Sequence, residues 1–224
     1  MTPFIQCRRA LKSSLVAVAL STTVSLYAPL VYADDAEDAV RELKAEVAAV
    51  VLANRTPEQI TTQVGVTLRA FLARGALPEA FVKAHPGLPV TTYLLHAEPD
   101  GRFSIAVLVL RPGARAPLHD HRTWTVWGTI RGTDHEKQFE RGASGEDDFP
   151  ELRPISDRRV EVGEVSVVAM PPRDVHYVEN VGNDVSVSVH VHGADLSRIE
   201  RNRYDFERRT VFPFVQSYES GGEQ

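Results

Sequence analysis

A chain of 224 residues, 43% of them hydrophobic, can bury one good core with little left for a second. Its formal charge of −5 argues against the basic footprint that nucleic acid requires, and its single cysteine excludes an internal disulfide framework. A small-molecule ligand is the better expectation.

The first 33 residues read as an address rather than as structure. Arg8, Arg9 and Lys12 precede an apolar run from Leu15 to Leu30, and Val31-Tyr32-Ala33 ends in a small residue just before Asp34 and Asp35. Ser21, Thr22, Thr23, Ser25 and Pro29 interrupt that run, which falls short of the roughly 20 apolar residues a membrane span needs. The expectation is a signal segment over 1–33, cleaved after Ala33, and a remainder exported to the periplasm or beyond, with a cytoplasmic protein as the alternative. Arg8-Arg9 also faintly resembles a twin-arginine export signal. Cleavage would remove Cys7, leaving no thiol ligand or nucleophile.

Next, Val40, Leu43, Val47, Val50 and Val51 recur at helical spacing and predict an amphipathic helix over 36–53. Thr56 as cap, Pro57 at the first position and Gln59 completing a capping box predict a second helix, with Ile60, Val64, Leu68, Phe71 and Leu72 on its apolar face and Gly75 as its stop. Together these two helices form a cover, within 34–77, for the sheet that follows.

Beyond the prolines between Pro78 and Pro89 the pattern changes to short apolar runs, predicting strands near 91–96, 103–110, 123–131, 135–140, 158–161, 165–170, 176–180 and 185–192. An acidic loop is expected over 142–157. In the C-terminal arm, 196–224, Tyr204, Phe206, Phe212 and Phe214 should wrap onto the barrel while Arg198, Arg201, Arg203, Arg208 and Arg209 stay exposed. The expected fold is mainly β, a jelly roll or closed barrel over about 90–195 within one domain of 34–224.

Side chains alternate along a strand, so His119 and His121 in Pro117-Leu118-His119-Asp120-His121 point the same way and can reach one ion. Gly113 lies six residues before His119, Gly132 closes the following hairpin, and a proline turn in Met170-Pro171-Pro172-Arg173-Asp174-Val175-His176 delivers a third histidine. This arrangement resembles the two signatures of the cupins. Where those signatures usually place a glutamate, four or five residues after the second histidine, this chain has Thr125 and Val126. A neutral three-histidine set is therefore expected. It leaves the charge of a divalent ion to exogenous ligands and leaves open positions, as oxygen chemistry at non-haem iron requires, and a thiolate is a suitable guest. In Ser186-Val187-Ser188-Val189-His190-Val191-His192 the polar face either meets water or lines a cavity.

The stretches YLLHAEPDGRFSI at 93–105, PGARAPLHDHRTW at 112–124, RG at 131–132, DVHYVEN at 174–180 and SVSVHVHGADL at 186–196 resemble the bacterial thiol dioxygenases, the cysteine dioxygenase and mercaptopropionate dioxygenase group, over about residues 36–205. The resemblance implies a cupin-type double-stranded β-helix that binds iron(II) through His119, His121 and His176. It implies a reaction in which both atoms of O2 are added to a thiol to give a sulfinate. By position, Ser188 and His190 match a hydrogen-bonding relay, His192 stands where the family has a tyrosine, and Arg201 matches the arginine that holds the substrate carboxylate. Thr91 and Thr92 stand where the mercaptopropionate branch often has glutamines, and Thr125 replaces a common glycine after the matching Trp124. An imidazole at 192 with an ordinary pKa of about 6.5 would titrate between about pH 6 and 8. The partners implied are a small carboxylate-bearing thiol and O2, with no nucleic acid, no membrane after signal cleavage, and a monomer or homodimer. Two alternatives stand beside this reading: another metal-dependent cupin enzyme, and a non-enzymatic periplasmic cupin binding a small ligand or metal.

Overall fold

Helices α1 (Ala33–Ala53) and α2 (Pro57–Arg74) open the described part of the chain. The computed structural model describes Met1 and residues 33–54, 56–145 and 147–219, so all but the two ends of the expected signal segment lies outside the described residues. At the start of α2 the Gln59 amide donates to the Thr56 hydroxyl and the Thr56 amide donates to Gln59 Oε1, each at 3.3 Å. This reciprocal pair satisfies two amides that the helix itself leaves unpaired. Gly75 ends α2 with a φ of 65°, a left-handed conformation that suits glycine at this position. Among the described residues no helix is long and apolar enough to cross a membrane.

Eleven strands follow: β1 (Val90–Ala97), β2 (Ser104–Leu110), β3 (His119–Asp120), β4 (Thr125–Arg131), β5 (Asp134–Ser144), β6 (Pro150–Val160), β7 (Val165–Val168), β8 (Val175–Asn180), β9 (Ser186–His192), β10 (Arg201–Asp205) and β11 (Thr210–Phe214). They form two antiparallel sheets, one of five strands in the order β1-β2-β9-β4-β7 and one of six in the order β11-β10-β3-β8-β5-β6. Between β3 and β9 the chain passes repeatedly from one sheet to the other. The fold is a double-stranded β-helix with two helices packed outside.

Strand β9 shows how the two layers are separated. Val187, Val189 and Val191 share a core with Val64, Leu68 and Phe71 of α2, while Ser188, His190 and His192 take the other face. Both faces of β9 are buried, so its polar side lines a cavity instead of meeting water. At the β4–β5 turn Gly132 has a φ of 83°, and a β-carbon there would stand 2.8 Å from the Ser186 Cα. Only glycine fits so close to the neighbouring backbone.

Two expectations are corrected. The segment over 142–157 is mostly a hairpin in which β5 and β6 pair, with an ion pair between Arg153 and Glu140. Most of β6 is exposed or half-buried, so its sequence lacks the apolar alternation by which a strand is recognised. The C-terminal arm is likewise partly a hairpin, β10–β11, added to the edge of the six-stranded sheet. Phe206 and Phe212 stay exposed there, and Arg201, expected at the surface with its neighbours, is only 1% exposed.

Asp134, at the start of β5, is fully buried, and its Oδ1 has no hydrogen-bond partner. Burial pushes its carboxyl up to about 6, against the pull of the Ser186 and Thr129 hydroxyls. In the unfolded chain the group ionises near its ordinary value of about 3.9, so between about pH 4 and 6 the folded state holds a proton that the unfolded state has released. Stability therefore falls through that window, and above it the buried charge costs about 3 kcal/mol. Asp134→Asn should raise the unfolding free energy by up to about 3 kcal/mol at pH 7 and by much less at pH 4. Denaturant titrations at both pH values check this, and an equal effect at the two would rule it out.

Candidate metal centre

The register of β3 builds the site. His119 pairs with His176 of β8 on one side and with Arg203 of β10 on the other, so two histidines far apart in sequence stand directly across a ladder. The His121 amide donates to the Asp174 carbonyl at 3.2 Å, which carries the pairing one residue past the strand. Arg122 then turns the chain with a φ of 56°, its amide donating to Asp174 Oδ2 at 2.8 Å. The alternation expected for His119 and His121 is present, and their rings stack with centroids 4.8 Å apart.

The three imidazoles converge through their Nε2 atoms. His121 Nε2 lies 2.9 Å from His119 Nε2 and 3.0 Å from His176 Nε2. Each Nδ1 faces a group that can accept a proton: the Pro117 carbonyl at 2.7 Å for His119, Glu136 Oε1 at 2.7 Å for His176, and the Thr125 hydroxyl for His121. Those partners assign the ring proton to Nδ1, so three Nε2 lone pairs face one another. Burial, then the charge of neighbouring histidines, holds His119 and His121 well below the ordinary imidazole range, so both are neutral. Converging lone pairs without protons repel unless a cation lies between them. Two nitrogens about 2.1 Å from one ion stand about 3.0 Å apart when they subtend a right angle, so the two pairs that His121 makes suit adjacent positions on one ion, and all three ligand atoms lie within 4.8 Å of one another. His119, His121 and His176 could thus hold a metal ion, and the donor set fits one.

Glu136 is a member of this site that sequence reasoning missed. It is fully buried, and its Oε1 accepts from both His176 Nδ1 and Trp127 Nε1, the latter at 2.8 Å. Its other oxygen accepts from the Ser166 hydroxyl and from Gln138 Nε2 at 3.0 Å. Burial alone would raise this carboxyl, but the hydrogen bonds from His176, Ser166 and Trp127 lower it, so Glu136 is an anion fixing the His176 ring. The available signal was its inward parity with Asp134 and Gln138 on β5.

The cavity above the histidines has a volume of about 100 Å³, suited to a small molecule. Its lining mixes the apolar Val90, Ala106, Leu108, Val178 and Leu196 with the polar His190, His192, Arg201, Gln216 and Tyr218. Ser188 Oγ and His190 Nε2 are 2.9 Å apart, so the expected pair is in contact, and the His190 ring stacks on Trp127 with centroids 5.3 Å apart. Burial lowers His190 to about 3. The Thr125 hydroxyl, which faces His121, also lies 2.9 Å from His192 Nδ1. A hydroxyl that accepts from His121 can donate to His192, which places the His192 proton on Nε2. Burial, then the charges of His190 and Arg201, holds His192 well below the ordinary range, so the titration expected there between about pH 6 and 8 has no source in this ring. Of the two threonines singled out on β1, Thr92 lines the cavity and Thr91 accepts from the His85 amide instead.

Arg201 donates from Nη1 to the Asp120 carbonyl at 3.0 Å and from Nη2 to Gln216 Oε1 at 2.9 Å, and its guanidinium lies 4.4 Å from the centroid of Phe214. No carboxylate among the described residues forms an ion pair with it, and its Nε has no hydrogen-bond partner. Burial lowers it to about 10, which still leaves it charged at neutral pH. The charge of Asp120 acts on Arg201 without a direct ion pair, so the guanidinium could still take an anion from the cavity.

No protein-family model matches the sequence. Among solved structures the chain is similar to an oxalate oxidase, at 19% identity over 50% of this chain and 55% of that one, with a TM-score of 0.37. It is similar to the cupin domain of Schizosaccharomyces pombe Cnp3, at 13% identity over 50% and 70%, TM-score 0.37. A cupin superfamily protein from Desulfitobacterium hafniense matches at 14% identity over 54% and 91%, TM-score 0.37. The chain spans about half the length of the oxalate oxidase it matches. Likeness of this degree carries no activity across, and the double-stranded β-helix is read from this chain's own strand order.

Proposed function

We propose that this protein is an exported iron(II)-dependent thiol dioxygenase acting on a small thiol that carries a carboxylate. The observation that supports it best is the pairing, in one small cavity, of a neutral three-histidine donor set with a buried guanidinium that forms no direct ion pair among the described residues. The reaction is R–S⁻ + O2 → R–SO2⁻, in which sulfur is oxidised and both oxygen atoms are retained. Iron(II) held by His119, His121 and His176 would supply adjacent open positions for the thiolate and for O2. A neutral ligand set suits an anionic sulfur.

The chain's own groups do the rest. Arg201 takes the substrate carboxylate through its fork of N–H donors, which fixes the distance between carboxylate and thiolate and so selects chain length. The Nε2–H of His192 is the donor placed where the resembled family has a phenol. Ser188 holds His190, whose ring packs flat on Trp127, so this face keeps its geometry as charge develops. Val178, Leu108 and Leu196 exclude water and strengthen each of these interactions. Any small carboxylate ligand could use Arg201, so a metal-dependent cupin acting on a different small acid is the second reading, and a panel of thiols separates the two by O2 uptake.

Three results are expected. Purified wild-type protein should carry about one iron per chain by elemental analysis and His176→Ala almost none, since an absent ligand is not replaced by the groups around it; full occupancy in the variant would sink the ligand assignment. Arg201→Ala should raise KM about tenfold or more for 3-mercaptopropionate but much less for cysteamine, the loss expected for a charge-assisted hydrogen bond. Equal rises for both thiols would make Arg201 purely structural. Amino-terminal sequencing of periplasmic protein should begin at Asp34, and a chain recovered only from the cytoplasm with its first residues intact would refute export.

A further inference from the structure

The segment after β11 crosses the cavity and is fastened at both ends. The Gln216 amide donates to the Leu196 carbonyl at 3.3 Å, and the Glu219 amide donates to the Thr92 carbonyl at 2.8 Å. Between those ties stands Tyr218, which lines the same cavity as Arg201. Its hydroxyl is buried and makes no hydrogen bond of good geometry, with the Ser104 hydroxyl as the one uncharged side chain close enough to act on it. The Ser104 hydroxyl gives its own proton to the Ala194 carbonyl at 2.8 Å. Burial pushes the Tyr218 phenol up to about 12, outweighing the pull of Arg201, so it remains a proton donor at every physiological pH.

Two buried donors from residues that line one cavity, Arg201 Nε and the Tyr218 hydroxyl, therefore make no well-formed hydrogen bond. Each such group costs stability if nothing arrives to meet it. Gln216 meets neither of them: its Oε1 accepts from Arg201 Nη2 at 2.9 Å and its Nε2 donates to the Ser217 carbonyl at 2.7 Å. We infer that Tyr218 is a substrate-binding residue, and that its hydroxyl and the Arg201 guanidinium each donate to one oxygen of the substrate carboxylate. This rests on the proposed reading of the cavity as a site for a carboxylate-bearing thiol. A phenol supplies the second hydrogen bond without a second buried cation, and it reads an oxygen acceptor where an ammonium or amide ligand would present donors.

The test is equilibrium binding of 3-mercaptopropionate and of cysteamine to iron-loaded protein under anaerobic conditions, in wild type and Tyr218→Phe, followed by calorimetry. Tyr218→Phe removes one oxygen and keeps the ring. The expected result is that affinity for 3-mercaptopropionate falls at least about fivefold more than affinity for cysteamine, the size of one hydrogen bond to a charged group. A parallel loss for both ligands, no loss for either, or a wild type that does not prefer the acidic ligand would overturn the inference. Thermal melts of the two proteins identify a fold defect, which would lower both affinities together. Selective binding without O2 uptake by the wild type would reject the dioxygenase reading and leave Tyr218 in place, so the two ideas fail separately.

Discussion

The guanidinium of Arg141 lies between two fully buried carboxylates, 2.8 Å from Asp120 and 3.4 Å from Asp174. Asp120 separates His119 from His121, and Asp174 stands two residues before His176, so one side chain from β5 ties together both segments that carry the candidate ligands. Asp120 also accepts from the Tyr204 hydroxyl at 2.8 Å and from the Asn202 amide at 2.9 Å, which fastens the β10–β11 hairpin to the same point. Arg201 belongs to that hairpin. Without the central cation, two carboxylates would face each other in a low-dielectric interior with little else to balance them.

This arrangement sorts charge by direction. The buried anions Asp120, Asp174 and Glu136 point away from the cavity, each engaged by donors behind the histidines. Inside the cavity burial keeps His119, His121, His190 and His192 neutral, and Arg201 is positive. With a divalent ion added, the interior would be strongly electropositive, and an anionic guest would relieve it. The proposed dianionic guest, thiolate at one end and carboxylate at the other, suits that separation.

The local part of this was legible in the sequence. Thr56, Pro57 and Gln59 act within one turn of helix, so the start of α2 could be placed to the residue. His119 with His121, and Ser188 with His190 and His192, lie at even spacing on extended chain, where geometry alone puts them on a common face. The outer part of the β5–β6 hairpin was hidden because the end of β5 and most of β6 are exposed or half-buried and carry no apolar period.

Sequence alone determined which residues share a face, where the helices begin and end, and that three histidines stood at spacings suited to one ion. Tertiary structure alone decided that Arg201 is buried rather than at the surface, that Glu136 rather than a residue soon after His121 supplies the nearby carboxylate, and that Tyr218 returns from the far end of the chain to the same cavity. The physical reason is the range of each effect. Strand alternation and helix capping depend on neighbours a few bonds away, whereas these three placements depend on which strands pair and in what register, and that is set by burial of the whole core at once.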